Sequence, residues 1–531
     1  MTPPHHRRRP RLAAVFRAVR RVPVVFAVVL VPGHTSTGDL VLPLVAAVAA
    51  VAVAAYASVR RRLRAATRTT PGGVLPTVVP LDELDRRARR LLVETDDCVR
   101  TSREELGRAA EAFGDEAVRE CAEAVEFAAA QLAQAFRLRQ RIDDGESQAR
   151  ALLAEIVERC EAAGRRLDAQ APEFDRIRAL ERTAGEALER AEARLREVAA
   201  RLPDAEQTLT GARARYALSA CLPVAGHDEQ AKDRLHFAST VLDRARQAMR
   251  AGATDDAVAL LRAAEAATDQ TAVLLGGVVR LAAELTAAAD RLPAALTDLE
   301  ADLAQARGLL GTDTARAIAH GESVVARVRE ESDGEGPFDP VGALRRVEQV
   351  AVALDRALHR VTRGSGALGR LDRAVLVARS TVGAAVDQVT THRGAVGWEA
   401  RTRLAEAERR LGAAVNTAVP PVAASADALA DAREADALAR EARRLAERDV
   451  RAYGTPYGEG LWTKGAVLGG ILLQAPHRPG GHGGPASFGG PATRGRRDAG
   501  ELFRTAPTAA RPSPGTAPAP RTDSAEPPPG P

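Results

Sequence analysis

Two runs of adjacent acids, ETDDC (94–98) and RIDDG (141–145), are where this sequence comes nearest to carrying chemistry. Paired carboxylates serve general acid–base catalysis or hold a divalent cation, provided that they share a concave, partly desolvated site. Asp96-Asp97 and Asp143-Asp144 instead fall in helical patterns. There the expectation is that they lie at helix surfaces or ends, in solvating and capping roles. The ten histidines are scattered. None is paired with a second ligand at i+3 or i+4 as a helical metal site requires, and His236 in KDRLHFAST reads as a packed or interfacial residue. Cys98, Cys121, Cys160 and Cys221 have no CxxC spacing and lie inside helical stripes, so they read as small buried apolar groups, reduced. GxxxxGK[ST], a GxGxxG opening a βαβ unit and GxSxG are all missing from the sequence. The reading is therefore of a non-enzyme: no catalytic residue, no cofactor-binding residue, no metal ligand and no cofactor.

The elements that would position any of these residues are helices. Aromatic residues make up only 3% of the chain while Ala, Leu, Arg and Glu dominate, a mixture that favours helix over strand. From Leu81 the inward candidates Leu84, Ala88, Leu91, Thr95, Cys98, Ser102 and Leu106 recur at spacings of three and four, the seam of a long amphipathic helix. Similar stripes continue to about residue 452. They are punctuated at Asp144-Gly145, Pro172, Pro203, Pro223 to Gly226, Gly252, Pro293, Asp333 to Pro340, Gly364 to Gly366 and Pro420-Pro421. Short connections between long helices place neighbours antiparallel. The expected fold is all-α: an N-terminal transmembrane helix, then elongated antiparallel helical hairpins or bundles of coiled-coil character, then a disordered C-terminal tail.

Placement follows from residues 40–59, LVLPLVAAVAAVAVAAYASV, which hold no charge and span roughly 30 Å as a helix, the hydrocarbon thickness of a bilayer. RRRLR follows at 60–64. Residues 1–39 read as an Arg-rich start with a signal-like apolar segment (22–32) and a short outer loop, and 60–80 as a basic juxtamembrane linker. The bulk, 81–452, reads as a cytoplasmic helical region, 453–474 as a Trp/Gly apolar island and 475–531 as a disordered Gly/Pro-rich tail. Whether the chain crosses once or makes a tight hairpin, the positive-inside rule keeps both Arg clusters in the cytoplasm. The net charge of +5 is uneven: twelve Arg against Asp39 in residues 1–70, and seven Arg against four acids in 475–531, leave about −9 for 71–474. That argues against a nucleic-acid surface and for Arg clusters that grip the anionic headgroups of a lipid bilayer. The acidic helices would recruit a protein partner whose identity the sequence does not give. Their apolar seams can be satisfied within one chain or in a homo-oligomer.

Five strings, ETDDCVRTSREELGRAAEAFG (94–114), RLRQRIDD (137–144), EIVERCEAAGRRLDAQAPEFDRIRALER (155–182), THRGAVGWEARTRLAEAERRL (391–411) and KGAVLGGILL (464–473), resemble the cytoplasmic helical part of bacterial TPM-domain membrane proteins. The resemblance covers most of residues 55–475. It implies a signal peptide, an extracytoplasmic α/β TPM domain with phosphatase-like activity and metal binding, a membrane helix, an Ala-rich helical region and a Gly-rich tail. Here only GHTSTGD stands where that domain belongs, so the resemblance implies no catalytic position. The leading expectation is a membrane-anchored cytoplasmic helical scaffold or interaction protein. A truncated family member whose TPM domain is missing or wrongly assigned is one alternative, and a helical chromosome-associated protein is another.

Overall fold

The computed structural model describes residues 79–307, 312–334, 336–357, 365–416, 424–454 and 487–496. All of them fall in a unit that begins at Val79. The expectations for residues 1–78, the span at 40–59 and the 22–32 segment included, lie outside the described residues, as do those for 455–486.

Local chemistry sets the helix limits. Pro80 precedes α1 (Leu81–Phe113), whose first turn carries Asp82 and Glu83 against the positive end of the helix dipole. Gly114, at φ +85, ends α1 and opens α2 (Asp115–Asp143). Gly145, at φ +93, separates α2 from α3 (Ala149–Arg178). Ala179 alone among the described non-glycine residues has a positive φ, +42, and links α3 directly to α4 (Leu180–Ala200). Next come α5 (Leu202–Arg215), the single turn α6 (Leu218–Cys221), α7 (His227–Arg250) and, after Gly252, α8 (Thr254–Ala306). Then follow α9 (Thr312–Asp333), α10 (Pro340–Ala357), α11 (Ser365–Thr391), α12 (Trp398–Asn416), α13 (Ala424–Gly454) and the short α14 (Pro491–Arg496). About 91% of the described residues are helical and none lies in a strand, so the described part of the chain is all-α.

Two expected breaks are absent. Pro172 lies inside α3, and Pro293 lies inside α8, which runs unbroken for 53 residues. A proline interrupts one helical hydrogen bond, but tertiary burial outweighs that loss here: Leu292, Ala295 and Leu296 around Pro293 are all buried. Pro203, by contrast, stands in the first turn of α5, where the sequence places it.

Helix α8 is the spine. Its first half packs with α4 and α7 around Leu242, Leu260 and Leu261. The second half packs with α5, α9 and α10 around Leu285, Leu299, Leu344 and Val347. A third core joins α1, α2 and α3 through Leu92, Val125, Ile156 and Phe174, and a fourth joins α11, α12 and α13 through Val389, Leu404 and Ala442. Among the described residues α8 is the one helix long and apolar enough to cross a membrane. Its Leu side chains form the core of this unit, and it carries buried Thr268, Gln270 and Thr271 facing other helices. We therefore read α8 as an interior helix.

Part of the tail departs from the expectation of disorder. Within 475–531, residues 487–496 are ordered: Ser487, Phe488, Gly489 and Gly490 are buried, and α14 follows. The physical reason is that Phe488 joins the core of α1, α2 and α3. The remainder of the tail lies outside the described residues.

Candidate functional site

The string TSREE on α1 and the string THRGAVGWEARTR around the α11–α12 turn meet in space. Residues 96, 100, 104 and 108 recur every four positions along α1, with Thr101 and Glu105 on the adjacent row, so both rows face the same neighbours. Thr391 ends α11, Ala395 N–H donates to the His392 carbonyl (2.9 Å), and Trp398 opens α12. This turn places Arg393 and Arg401 against α1.

Arg401, only 1% exposed, uses its whole guanidinium. Nη1 donates to Asp96 Oδ2 at 2.6 Å and Asp97 Oδ1 at 2.7 Å. Nη2 donates to the Arg393 carbonyl at 2.6 Å and Nε to the Val396 carbonyl at 3.1 Å. Arg100 Nε holds both Asp96 oxygens at 3.0 Å. Arg393 Nη2 donates to both Glu104 oxygens, at 2.6 and 2.7 Å. Burial alone would raise the Asp96 pKa, but Arg100 and Arg401 more than offset it and hold the carboxyl below its usual value. Asp96 is thus not at a helix surface, as expected, but buried in the middle of α1. It sits there because α1 is packed on more than one face.

One turn further along, Glu105 is also 1% exposed. Arg108 Nη2 donates to it at 3.0 Å and Arg178 Nε lies 3.7 Å away. Arg178 also donates to Glu265 on α8 at 2.7 Å, and Arg108 pairs with Asp269. Burial would raise the Glu105 pKa, yet Arg178, Arg108 and Arg262 bring it down to about 2. An open cleft of about 460 Å³ borders this cluster, lined by Arg103, Glu104, Arg108, Phe113, Arg190 and Asp269 among others. No His, Cys or Ser lines it, and the Thr268 hydroxyl there donates to the Ala264 carbonyl. The cleft offers charge recognition, and burial pushes the Asp269 carboxyl up to about 6 despite the Arg108 guanidinium beside it.

The second acidic run reaches the same helix, α12, by a separate route. Asp143 accepts from Arg139 (2.7 Å) and Arg403 (3.2 Å), while Asp144 is exposed. Arg139 and Arg89 lie over Trp398, at 4.1 and 4.6 Å from its ring centroid. The two acid pairs therefore meet different arginines of α12 and do not share a pocket.

A third polar cluster lies where α7, α8 and α11 meet. Arg234, 2% exposed, donates to Gln270 Oε1 (2.8 Å), the Gln230 carbonyl (3.1 Å) and the Thr391 carbonyl (3.0 Å). Burial brings its pKa down to about 10. His227 Nδ1 meets the Leu274 carbonyl at 3.2 Å, so that nitrogen carries the proton. Thr391 Oγ1 donates to the Asp387 carbonyl and accepts from His392 Nδ1 at 2.9 Å. Burial, reinforced by nearby arginine, brings both imidazoles to about 4. His236, read as packed or interfacial, is exposed. Among the described residues no group of three or more His, Cys, Asp or Glu is placed to hold a metal. The four cysteines are buried and free, and burial pushes the Cys98 and Cys160 thiols up to about 12.

The two neutral histidines make acid stability predictable in sign. Unfolded, each titrates near 6.5; folded, near 4. Between those values the unfolded chain binds more protons. The stabilisation is thus complete above about pH 6.5 and declines as pH falls toward 4, by about 3 kcal/mol per ring at most. A His227→Gln/His392→Gln variant should lose less stability than the wild type between pH 6.5 and 4, read as urea midpoints. Parallel losses in the two proteins would contradict the assignment.

Sequence reasoning passed over Arg393, Arg401, Glu104, Glu105, Arg178 and Arg234. The available signal was the density of opposite charges at four-residue spacing inside ETDDCVRTSREE, beside positions already assigned to a seam.

No protein-family model matches the chain, and no solved structure matches it. Two relatives from Mycobacterium tuberculosis do: UPF0603 protein MT2410 of strain CDC 1551 / Oshkosh and UPF0603 protein Rv2345 of strain ATCC 25618 / H37Rv. Each is 34% identical over 451 residues, covering 81% of this chain and 68% of the relative. By that extent of likeness the chain belongs to the UPF0603 family.

Proposed function

We propose that this protein is a membrane-anchored cytoplasmic helical scaffold, not an enzyme, whose acidic helices recruit a protein partner. One observation carries the reading: buried arginines and carboxylates on helices remote in sequence are committed to each other as joints. Arg393 reaches Glu104 across 289 residues and Arg401 reaches Asp96 across 305. Charged groups engaged in this way fix which helices meet, and they are not poised to transfer a proton or attack a substrate. The anchor is the uncharged segment 40–59, with the Arg clusters at 7–21 and 60–68 on anionic headgroups. An epitope fused after Pro531 and expressed in a bacterial host tests the placement. It should sediment with membranes, resist protease in intact spheroplasts and be digested in inverted vesicles. Digestion in spheroplasts, or recovery in the soluble fraction, would overturn it.

A second reading is favoured by the roughly one-third of each relative that the likeness leaves uncovered. In that reading the chain is the helical part of a TPM-type protein whose extracytoplasmic domain is supplied separately. Reading the DNA that precedes the gene tests it, since a TPM domain encoded there supports this reading and unrelated sequence removes it.

A further inference from the structure

The segment Ser487–Arg496 lies in a groove between α1 and α3 and is recognised from Phe488 to Arg494. Phe488, 1% exposed, stacks on Phe174 with ring centroids 4.3 Å apart and planes 12° from parallel. Gly489 adopts φ +130, and its N–H donates to Ser102 Oγ at 3.2 Å. At Gly490 a Cβ would collide with the Gly164 carbonyl and come within 2.8 Å of Asp168 Oδ2. The groove floor is cut to match, for a Cβ on Gly164 would lie 2.9 Å from the Pro491 ring. The Asp168 carboxylate then accepts from the N–H groups of Thr493 (2.8 Å) and Ala492 (3.3 Å). Arg494 Nη2 donates to the Asp97 carbonyl at 2.8 Å. The charges agree as well, since Arg494 meets a groove bearing Glu94, Asp97 and Asp168.

An aromatic socket, two positions where only Gly fits, a carboxylate that reads two amides and a terminal cation make up a peptide-recognition site. We propose that the groove between α1 and α3 is such a site and that its ligand is the chain's own Ser487–Arg496, seated in cis. The segment acts as a strap: it returns the Gly/Pro-rich tail to the helix that carries the Asp96–Arg401 joint. Its class of ligand is a Phe-Gly-Gly-Pro peptide followed by Arg. Because the cis segment competes at high effective concentration, the groove is closed to a free peptide until the strap is released.

The test uses full-length protein and a fluorescent synthetic peptide of residues 485–498. Gly490→Val forces the strap out, and Phe488→Ala weakens it from the tail side without altering any helix. Circular dichroism confirms that both variants keep their helical content. The peptide should bind each variant saturably and the wild type at least about tenfold more weakly. Adding Asp168→Asn to Gly490→Val should weaken peptide binding about tenfold. The proposal is overturned if neither variant binds the peptide, if the wild type binds it equally well, or if Asp168→Asn leaves binding unchanged. Light scattering separates cis from trans. The wild type should show no dimer that depends on the strap, and a dimer abolished by Gly490→Val would overturn the cis assignment.

Discussion

Glu105→Gln should cost about 3–5 kcal/mol of stability, among the largest effects of any single substitution in this chain. The replacement keeps the side chain's shape and removes only its charge. It leaves the guanidiniums of Arg108 and Arg178 next to a neutral amide, with Arg262 close by, in a place where Glu105 is almost wholly shielded from water. Arg178, only 5% exposed, keeps Glu265 but loses the second carboxylate beside it, and an arginine cannot discharge itself at any ordinary pH, so the loss is not recovered by titration. The same carboxylate gives the prediction a pH signature. Its pKa is near 4.5 unfolded and about 2 folded, so its contribution is complete above about pH 4.5 and disappears as pH falls toward 2. Urea unfolding at pH 7 should show a lower midpoint with an unchanged slope. The gap between variant and wild type should narrow between pH 4.5 and 2. A gap that is constant across that range would assign the loss to packing.

Arg401→Met should cost a similar 3–5 kcal/mol, by a different route. Methionine retains the apolar length of the side chain but strips Asp97 of its arginine, leaves Asp96 with Arg100 alone, and orphans the carbonyls of Arg393 and Val396. Asp96→Asn in the Arg401→Met background should be milder than Asp96→Asn alone, because one of the two arginines that the carboxylate pairs with is already gone. A coupling energy of about 1–3 kcal/mol is expected from the double-mutant cycle. Additive losses would mean that the two side chains do not depend on each other. Arg401→Lys should rescue little, since a lysine cannot reach two carboxylates and two carbonyls at once.

The all-α class was legible in the sequence, because periodicity and composition act locally. Burial was read less well. On α1, Ala88, Thr95, Cys98 and Ser102 are buried as the seam requires, but so are Leu92, Asp96, Val99, Thr101, Glu105 and Ala109, while Leu81 is exposed. A single stripe describes a helix with one packed face; α1 is contacted by α2, α3, α12 and α14. Asp96 and Glu105 were hidden for the same reason, since an acid reads as solvated until its arginine, here hundreds of residues away, is placed beside it. Pro172 and Pro293 announced breaks that tertiary packing overrides. The strap was masked by composition, because glycine and proline that signal disorder in bulk can also satisfy a close fit at particular positions. The expected membrane segment falls outside the described residues, and its reading rests on hydropathy and flanking charge.

If buried ion pairs act as joints, α1 and α12 must open together. Native-state hydrogen exchange tests this most directly, at the amides of α1 between Glu94 and Glu105 and of α12 between Arg401 and Glu406. The expected result is matching opening free energies in the two segments that fall by the same amount in Arg401→Met. Opening of α12 at a lower free energy than α1, with α1 protection unchanged in Arg401→Met, would contradict a scaffold held together by these joints.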